Sequence, residues 1–264
     1  IIKIIMFLVL IILTFSFSSL SKEGKINKKN IEIEKQILSP IHRSKCKFST
    51  DNSNFHKENF FRKEFNICKD QHGSFILVLG DSHSINLFNS ISKISKKNEF
   101  IIGLNKGACR PFDKNEANCH YSNALNFIKQ NKKNIKHILF THGGSYYLTN
   151  TGGEKNFYNP VYRKLPVNLI QINNSIKYLN LIRKENENLL FIGPHLEPHI
   201  VINRKIIINN LKKNNLQDNT NYDLLVVDEK LKEISSTNNI NYISKINIFN
   251  FNFKKDFIVN NKFT

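Results

Sequence analysis

Short apolar runs that end in turn residues alternate along most of this chain with stretches whose apolar residues recur every three or four positions. Residues 74–79 (SFILVL) are mostly large or β-branched and apolar, which reads as a buried strand. Gly80 then permits a sharp turn, and Asp81-Ser82 stands where a helix starts. Ile85, Phe88 and Ile91, with Leu87 and Ile94 beside them, follow as a core-facing stripe. The alternation repeats downstream. Residues 99–104 read as a strand, 121–132 as a helix and 136–141 as a strand. Pro166 opens a longer helix with Leu165, Leu169, Ile172, Ile176, Leu179 and Ile182 on one face. Residues 189–192 form a fourth strand stopped by Gly193-Pro194, Leu224, Val227, Leu231 and Ile234 mark another helix, and Asn241-Tyr242-Ile243 begins a fifth strand. Short apolar strands separated by helices imply an α/β fold, a parallel sheet covered on both faces. In such a sheet the loops at the C-terminal strand ends form the site. Here they are residues 80–84, 105–111, 142–145 and 194–199.

Ahead of this pattern lies a different one. Residues 1–20 are almost wholly apolar, with Lys3 the only charge, and about 20 such residues span a bilayer. A signal peptide is the competing reading, but no A-x-A-like cleavage site is present and the run exceeds the usual signal core. A membrane helix over 1–20 is expected, followed by a polar, exposed linker over 21–45 and one domain over 46–264. The 264 residues carry 39 Lys+Arg against 21 Asp+Glu, a net charge of +18. Such an excess attracts anionic lipid headgroups or acidic glycans. The lysines are scattered, however, and Lys, Asn and Ile are abundant together, as AT-rich codon usage produces. Nothing resembles a helix-turn-helix, a zinc finger or an aromatic RNA-binding signature, so nucleic acid is not an expected partner.

The four cysteines fall as two local pairs, Cys46/Cys68 and Cys109/Cys119. No C-x-x-C or nearby histidine pattern suggests a structural zinc site. With a membrane or secretory segment in front, disulfides paired in sequential order and an oxidising compartment are expected, the alternative being four buried thiols.

A serine at a strand-to-helix turn presents its hydroxyl to the cleft, and its N–H lies where a developing oxyanion is stabilised. Ser82 is therefore a candidate nucleophile, although Asp81 or Ser82 would also serve simply as a helix cap. The N–H groups of Ser82 and Gly107 are candidate oxyanion donors, with an ordinary turn before Cys109 as the other reading of Gly107. His83, His142, His195 and His199 are the candidate bases. His83 adjoins the nucleophile in sequence, which sets its side chain off line. His195 and His199 are spaced like metal ligands, but Pro194 and Pro198 disrupt a helix there and no carboxylate motif completes a site. His142 suits a supporting role. No cofactor or metal is expected.

Gly80-Asp81-Ser82-His83 after a buried strand resembles the first block of the SGNH (GDSL-type) hydrolase superfamily. More narrowly, that block, then Lys106-Gly107-Ala108-Cys109-Arg110-Pro111 with Cys119, then Ile192-Gly193-Pro194 with Glu197-Pro198, resembles the periplasmic SGNH domain fused to membrane acyltransferases that O-acetylate bacterial cell-surface glycans. The resemblance implies a three-layer, flavodoxin-like sheet and a membrane-tethered domain on the periplasmic side. It implies Ser82 as nucleophile, with the Ser82 and Gly107 amides as oxyanion donors. The implied partners are an acyl donor delivered by a membrane acyltransferase domain and a glycan acceptor, lipopolysaccharide or another polysaccharide. A glycan O-acyl esterase and a non-catalytic glycan-binding domain are the alternatives. Two departures stand out. The superfamily's Gly-x-Asn block is matched by His142-Gly143-Gly144-Ser145, without asparagine. The Asp-x-x-His block, which supplies acid and base, occurs nowhere in the sequence. The expectation is a fragment truncated before that block, with little activity alone, and a pseudoenzyme is the competing explanation.

Overall fold

A computed structural model describes residues 45–51, 59–96, 98–107, 109–112, 119, 121–148, 165–196, 223–249, 258–259 and 262–263. Residues 1–44, expected to hold the membrane helix and most of the linker, lie outside these. No helix among the described residues is long and apolar enough to cross a membrane.

Six parallel strands form one sheet: β1 (Lys47–Asp51), β2 (Phe75–Gly80), β3 (Ile101–Asn105), β4 (Ile135–Thr141), β5 (Leu189–Ile192) and β6 (Asn241–Ile243). Their order is β1-β3-β2-β4-β5-β6. Among the described residues the helices are α1 (Asn59–His72), α2 (Ser82–Ile94), α3 (Tyr121–Asn131), α4 (Leu169–Glu185), α5 (Asp223–Thr237) and α6 (Lys245–Phe249), with a 3₁₀ turn at Gly144–Tyr147. A short antiparallel pair, β7 (Ile258–Val259) with β8 (Lys262–Phe263), belongs to a second compact unit.

Strand order decides where the helices go. Only the β2-to-β3 connection runs in one direction across the sheet; the connections into β2, β4, β5 and β6 run in the other. With right-handed crossovers, α2 covers one face and α1, α3, α4 and α5 cover the opposite one. The period-2 alternation of the strands shows it. Val78 and Ile101 pack with Phe88 of α2, whereas Phe75, Leu77, Leu79, Ile102 and Phe140 join the larger core on the other side. That core includes a run of aromatic rings, among them Phe65–Phe127 and Phe75–Phe100, each with centroids 5.3 Å apart. The chain reverses its direction of winding at β2, so the C-terminal ends of β2 and β4 flank the switch point where open α/β sheets hold ligands.

Three expectations change. The sheet has six strands, because the edge strand β1 and its helix α1 were not recognised in the polar-rich sequence before residue 74. The helix placed at Pro166 begins instead at Leu169. Asn168 caps it, its Oδ1 accepting from the Gln171 N–H at 3.2 Å. Leu165 is buried ahead of the helix, its N–H held by Asp223 at 2.6 Å, and Leu169 turns outward. Ile94 is 84% exposed, since α2 ends at that residue and its stripe has run past the sheet.

Both ends of α2 are fixed by buried side chains. Lys47 on β1 donates from Nζ to the carbonyls of Ser92 (3.2 Å) and Ser95 (3.1 Å) and to Ser95 Oγ (2.7 Å), a cation at the helix C-terminus. Cys46 is bonded to Cys68 and Cys109 to Cys119, the sequential pairing, so β1 is tied to α1 and the loop after β3 is closed on itself. Sequence separations of 22 and 10 correspond to about 3 kcal/mol each on the loop-entropy account.

Candidate active site

The β2–α2 turn is built on a glycine with no room for a side chain. Gly80 has φ +148°, and a Cβ there would stand 1.9 Å from the Thr141 carbonyl oxygen on β4. Asp81, fully buried, is the N-cap of α2. Its Oδ1 accepts from the His83 N–H at 2.8 Å and its Oδ2 from the Gly143 N–H at 2.9 Å, so one carboxylate joins the turn to the loop after β4. Beneath it, Ser84 Oγ donates to the Asp81 carbonyl at 2.6 Å and meets Asn105, which in turn meets Ser49 of β1. Asp81 thus takes the capping role. Ser82 becomes the first helical residue, exposed to solvent.

The histidines divide. His142 is buried, its ring 4.5 Å from that of Phe140 and its Nε2 2.7 Å from the Tyr121 hydroxyl. The same hydroxyl lies 3.3 Å from the Cys109 carbonyl, which only accepts; both contacts are satisfied when the phenol donates to the carbonyl and His142 Nε2–H donates to the phenol. Burial pulls the His142 pKa down to about 4, with His83 and Arg110 adding to the fall and Asp81 opposing it. Burial first, then the charge of Asp81, holds Tyr121 well above its usual value, so it stays protonated. His142 is therefore a neutral, committed support.

His83 lies over Gly143, where an added Cβ would be 2.8 Å from the ring Nε2, and its ring centroid is 5.1 Å from that of His195. Burial, then the charges of His83 and Lys245, hold His195 well below its usual pKa. Lys245 Nζ donates to Thr141 Oγ1 at 3.2 Å. Gly107 is exposed with open space where a side chain would project, and the preceding Lys106 N–H donates to the Gly80 carbonyl at 3.1 Å. The structure thus places the loops carrying Ser82 and Gly107 side by side. Glu197, Pro198 and His199 lie outside the described residues. Among those described, no three His, Cys, Asp or Glu side chains gather as metal ligands would.

An exposed serine at the switch point, on a glycine turn and beside a disulfide-closed loop, fits acyl chemistry. Residues 45–252 match the family model described as "SGNH domain (fused to AT3 domains)". The chain belongs to this family. No curated protein matches the sequence. Among solved structures, the SGNH domain is similar to the periplasmic domain of a lipopolysaccharide acetyltransferase from Salmonella ser. Paratyphi A. The two share 16% identity over 83% of this chain and 78% of that one, with a TM-score of 0.48.

Sequence reasoning passed over several residues that shape this SGNH domain's strand-end loops. Lys245 carried no local signal, being one lysine among many. The His83–His195 contact joins residues far apart in the chain. Gly193 has a visible reason only in three dimensions: a Cβ there would meet the Tyr242 hydroxyl at 2.0 Å and Asp228 Oδ1 at 2.8 Å. Asp228 accepts from Tyr242 (2.5 Å) and Ser244 (2.6 Å), which sets the backbone just before Lys245. The Tyr242 phenol is pushed up by burial and then by its bond to Asp228, so it remains a donor.

Proposed function

We propose that this SGNH domain belongs to a membrane-bound O-acyltransferase and passes an acetyl or similar acyl group to a hydroxyl of a cell-surface glycan through an acyl-Ser82 intermediate. Ser82 Oγ attacks the carbonyl carbon of a donor delivered by the membrane acyltransferase domain. The Ser82 and Gly107 N–H groups, with the N-terminus of α2, receive the oxyanion as it forms. Collapse expels the donor's leaving group, which takes up the proton given up by Ser82 Oγ, and a sugar hydroxyl then attacks the acyl-serine, its proton restoring the Ser82 hydroxyl. Water in place of the sugar makes the same steps an esterase. Two disulfides suit an oxidising, extracytoplasmic compartment, with residues 1–20 as the proposed anchor.

The observation that carries this reading is the division of labour at the turn. Asp81 performs the capping, so Ser82 is left exposed on the first helical position with no structural duty among the described residues. A non-catalytic glycan-binding role is favoured by one fact, that the 264 residues contain no Asp-x-x-His.

Incubation of the 264-residue chain with a chromogenic acetyl ester, alone and with an oligosaccharide acceptor, separates the readings. Acyl transfer predicts an acetyl adduct on Ser82 and acetylated acceptor, formed slowly in a chain without an Asp-x-x-His pair and both lost in Ser82→Ala. Ester release without acceptor acetylation indicates the esterase. Absence of any acyl adduct on Ser82, with the glycan still bound, overturns both in favour of binding.

A further inference from the structure

The C-terminal edge of the sheet carries a second group of side chains that acyl transfer through Ser82 does not use. His83 comes from the first turn of α2, His195 from the segment after β5, and Lys245 from the start of α6 after β6. The two imidazole rings are 5.1 Å apart. Lys245 is held over the end of β4 by its 3.2 Å bond to Thr141 Oγ1, and its charge, like that of His83, reaches the His195 ring.

Two of the three are fixed by the architecture beneath them. His83 rests against Gly143, where a side chain would exclude it. Lys245 follows Ser244, which donates to the buried Asp228 at 2.6 Å and accepts the Asn247 N–H at 3.0 Å. Three separate loops thus deliver three groups able to carry positive charge to one place. The Asp81 carboxylate beside them is engaged by the backbone N–H groups of His83 and Gly143, and nitrogen donors gathered in a partly buried setting act on a charge more strongly than they would in water. Such a gathering of donors suits an anionic ligand.

We propose that His83, His195 and Lys245 form an anion subsite beside Ser82 that takes the carboxylate or phosphate of an acidic sugar in the acceptor glycan. The sugar as carrier rests on the function proposed above, whereas the anion subsite stands on its own geometry. An anion seated there accepts charge-assisted hydrogen bonds from Lys245 Nζ and from the imidazoles. It would hold an acidic acceptor at the strand ends next to the acyl-serine. The chain's net charge of +18 acts in the same direction at longer range.

The test is a titration of the unacylated 264-residue chain at fixed pH with sodium glucuronate, inorganic phosphate and neutral methyl glucoside, read by NMR of the histidine ring protons. Glucuronate or phosphate is expected to shift the His83 and His195 resonances saturably, methyl glucoside to leave them in place, and added sodium chloride to weaken the binding. The tighter of the two anions identifies the group recognised. Lys245→Gln and His195→Gln should each weaken the anion about tenfold, the size of one charge-assisted contact, while Lys245→Arg binds within about threefold of the unsubstituted chain. The proposal is overturned if both anions leave the two rings unmoved, if methyl glucoside binds as well, or if Lys245→Gln binds glucuronate and phosphate undiminished. The salt dependence is read on the unsubstituted chain and does not depend on any variant folding. Anion binding that persists in a protein that forms no acyl adduct on Ser82 refutes the acyl-transfer reading and leaves the subsite standing.

Discussion

Replacing Asp81 by alanine should unfasten the site and the fold together. Its carboxylate accepts two backbone N–H groups, from His83 at 2.8 Å and Gly143 at 2.9 Å, and is fully buried. Loss of an N-cap acceptor costs about 1 kcal/mol. Loss of the second bond, a buried N–H to a charged acceptor, costs about 1.5–3 kcal/mol. The sum is about 2.5–4 kcal/mol, a large share of a domain's total stability. With a urea m-value of about 2 kcal/mol/M, the unfolding midpoint should fall by roughly 1–2 M. Asp81→Asn keeps an acceptor for the cap but turns its amide toward the Gly143 N–H, donor against donor, and should cost about 1–3 kcal/mol. Urea denaturation followed by circular dichroism measures both. A midpoint for Asp81→Ala within about 0.3 M of the unsubstituted chain would refute the argument, because a buried double acceptor cannot be removed so cheaply.

Two further outcomes follow from the same region. Gly80→Ala should fail to give a stable fold, since its Cβ would stand 1.9 Å from a backbone oxygen at a φ of +148°, beyond what relaxation costing a few kcal/mol can absorb; Gly107→Ala, with nothing within 4 Å, should melt within about 2 °C of the unsubstituted chain. Matched thermal melts decide both. His142, with its pKa lowered from 6.5 to about 4 by burial, contributes stability that is complete above pH 6.5 and is lost as pH falls toward 4, because the unfolded chain then binds the proton first; the loss is about 3 kcal/mol. Urea midpoints between pH 7 and 4 should fall accordingly, and His142→Gln should flatten that slope; equal slopes would show that His142 is not the group being charged.

The catalytic-looking turn was legible because its ingredients are local. A run of buried apolar residues, a glycine, a capping aspartate and a helix stripe occupy residues 75–94 in order, and each acts on its immediate neighbours. The sequential disulfides were legible for the same reason, being separated by only 22 and 10 residues. β1 was not, because Lys47, Ser49 and Asp51 interrupt its apolar pattern; two of these are buried for reasons located elsewhere, Lys47 on the α2 carbonyls and Ser49 on Asn105. The offset at Pro166 has a similar origin. Proline permits a helix start, but the Asn168 cap and the Asp223 bond to Leu165 determine which residue begins it.

By itself the sequence determined the α/β class and the strand–turn–helix unit that carries Ser82, since both depend on periodicity and local turns, and it favoured sequential pairing of the cysteines without deciding it. Only the tertiary structure decided what stands around that serine. Asp81 reaches Gly143 across 62 residues and Lys245 reaches Thr141 across 104, and His83 meets His195 through strand order alone. The reason is physical: a parallel sheet aligns the C-terminal ends of strands that are distant in the chain. Which loops become neighbours is set by the direction of each crossover, a property that no local stretch of residues contains.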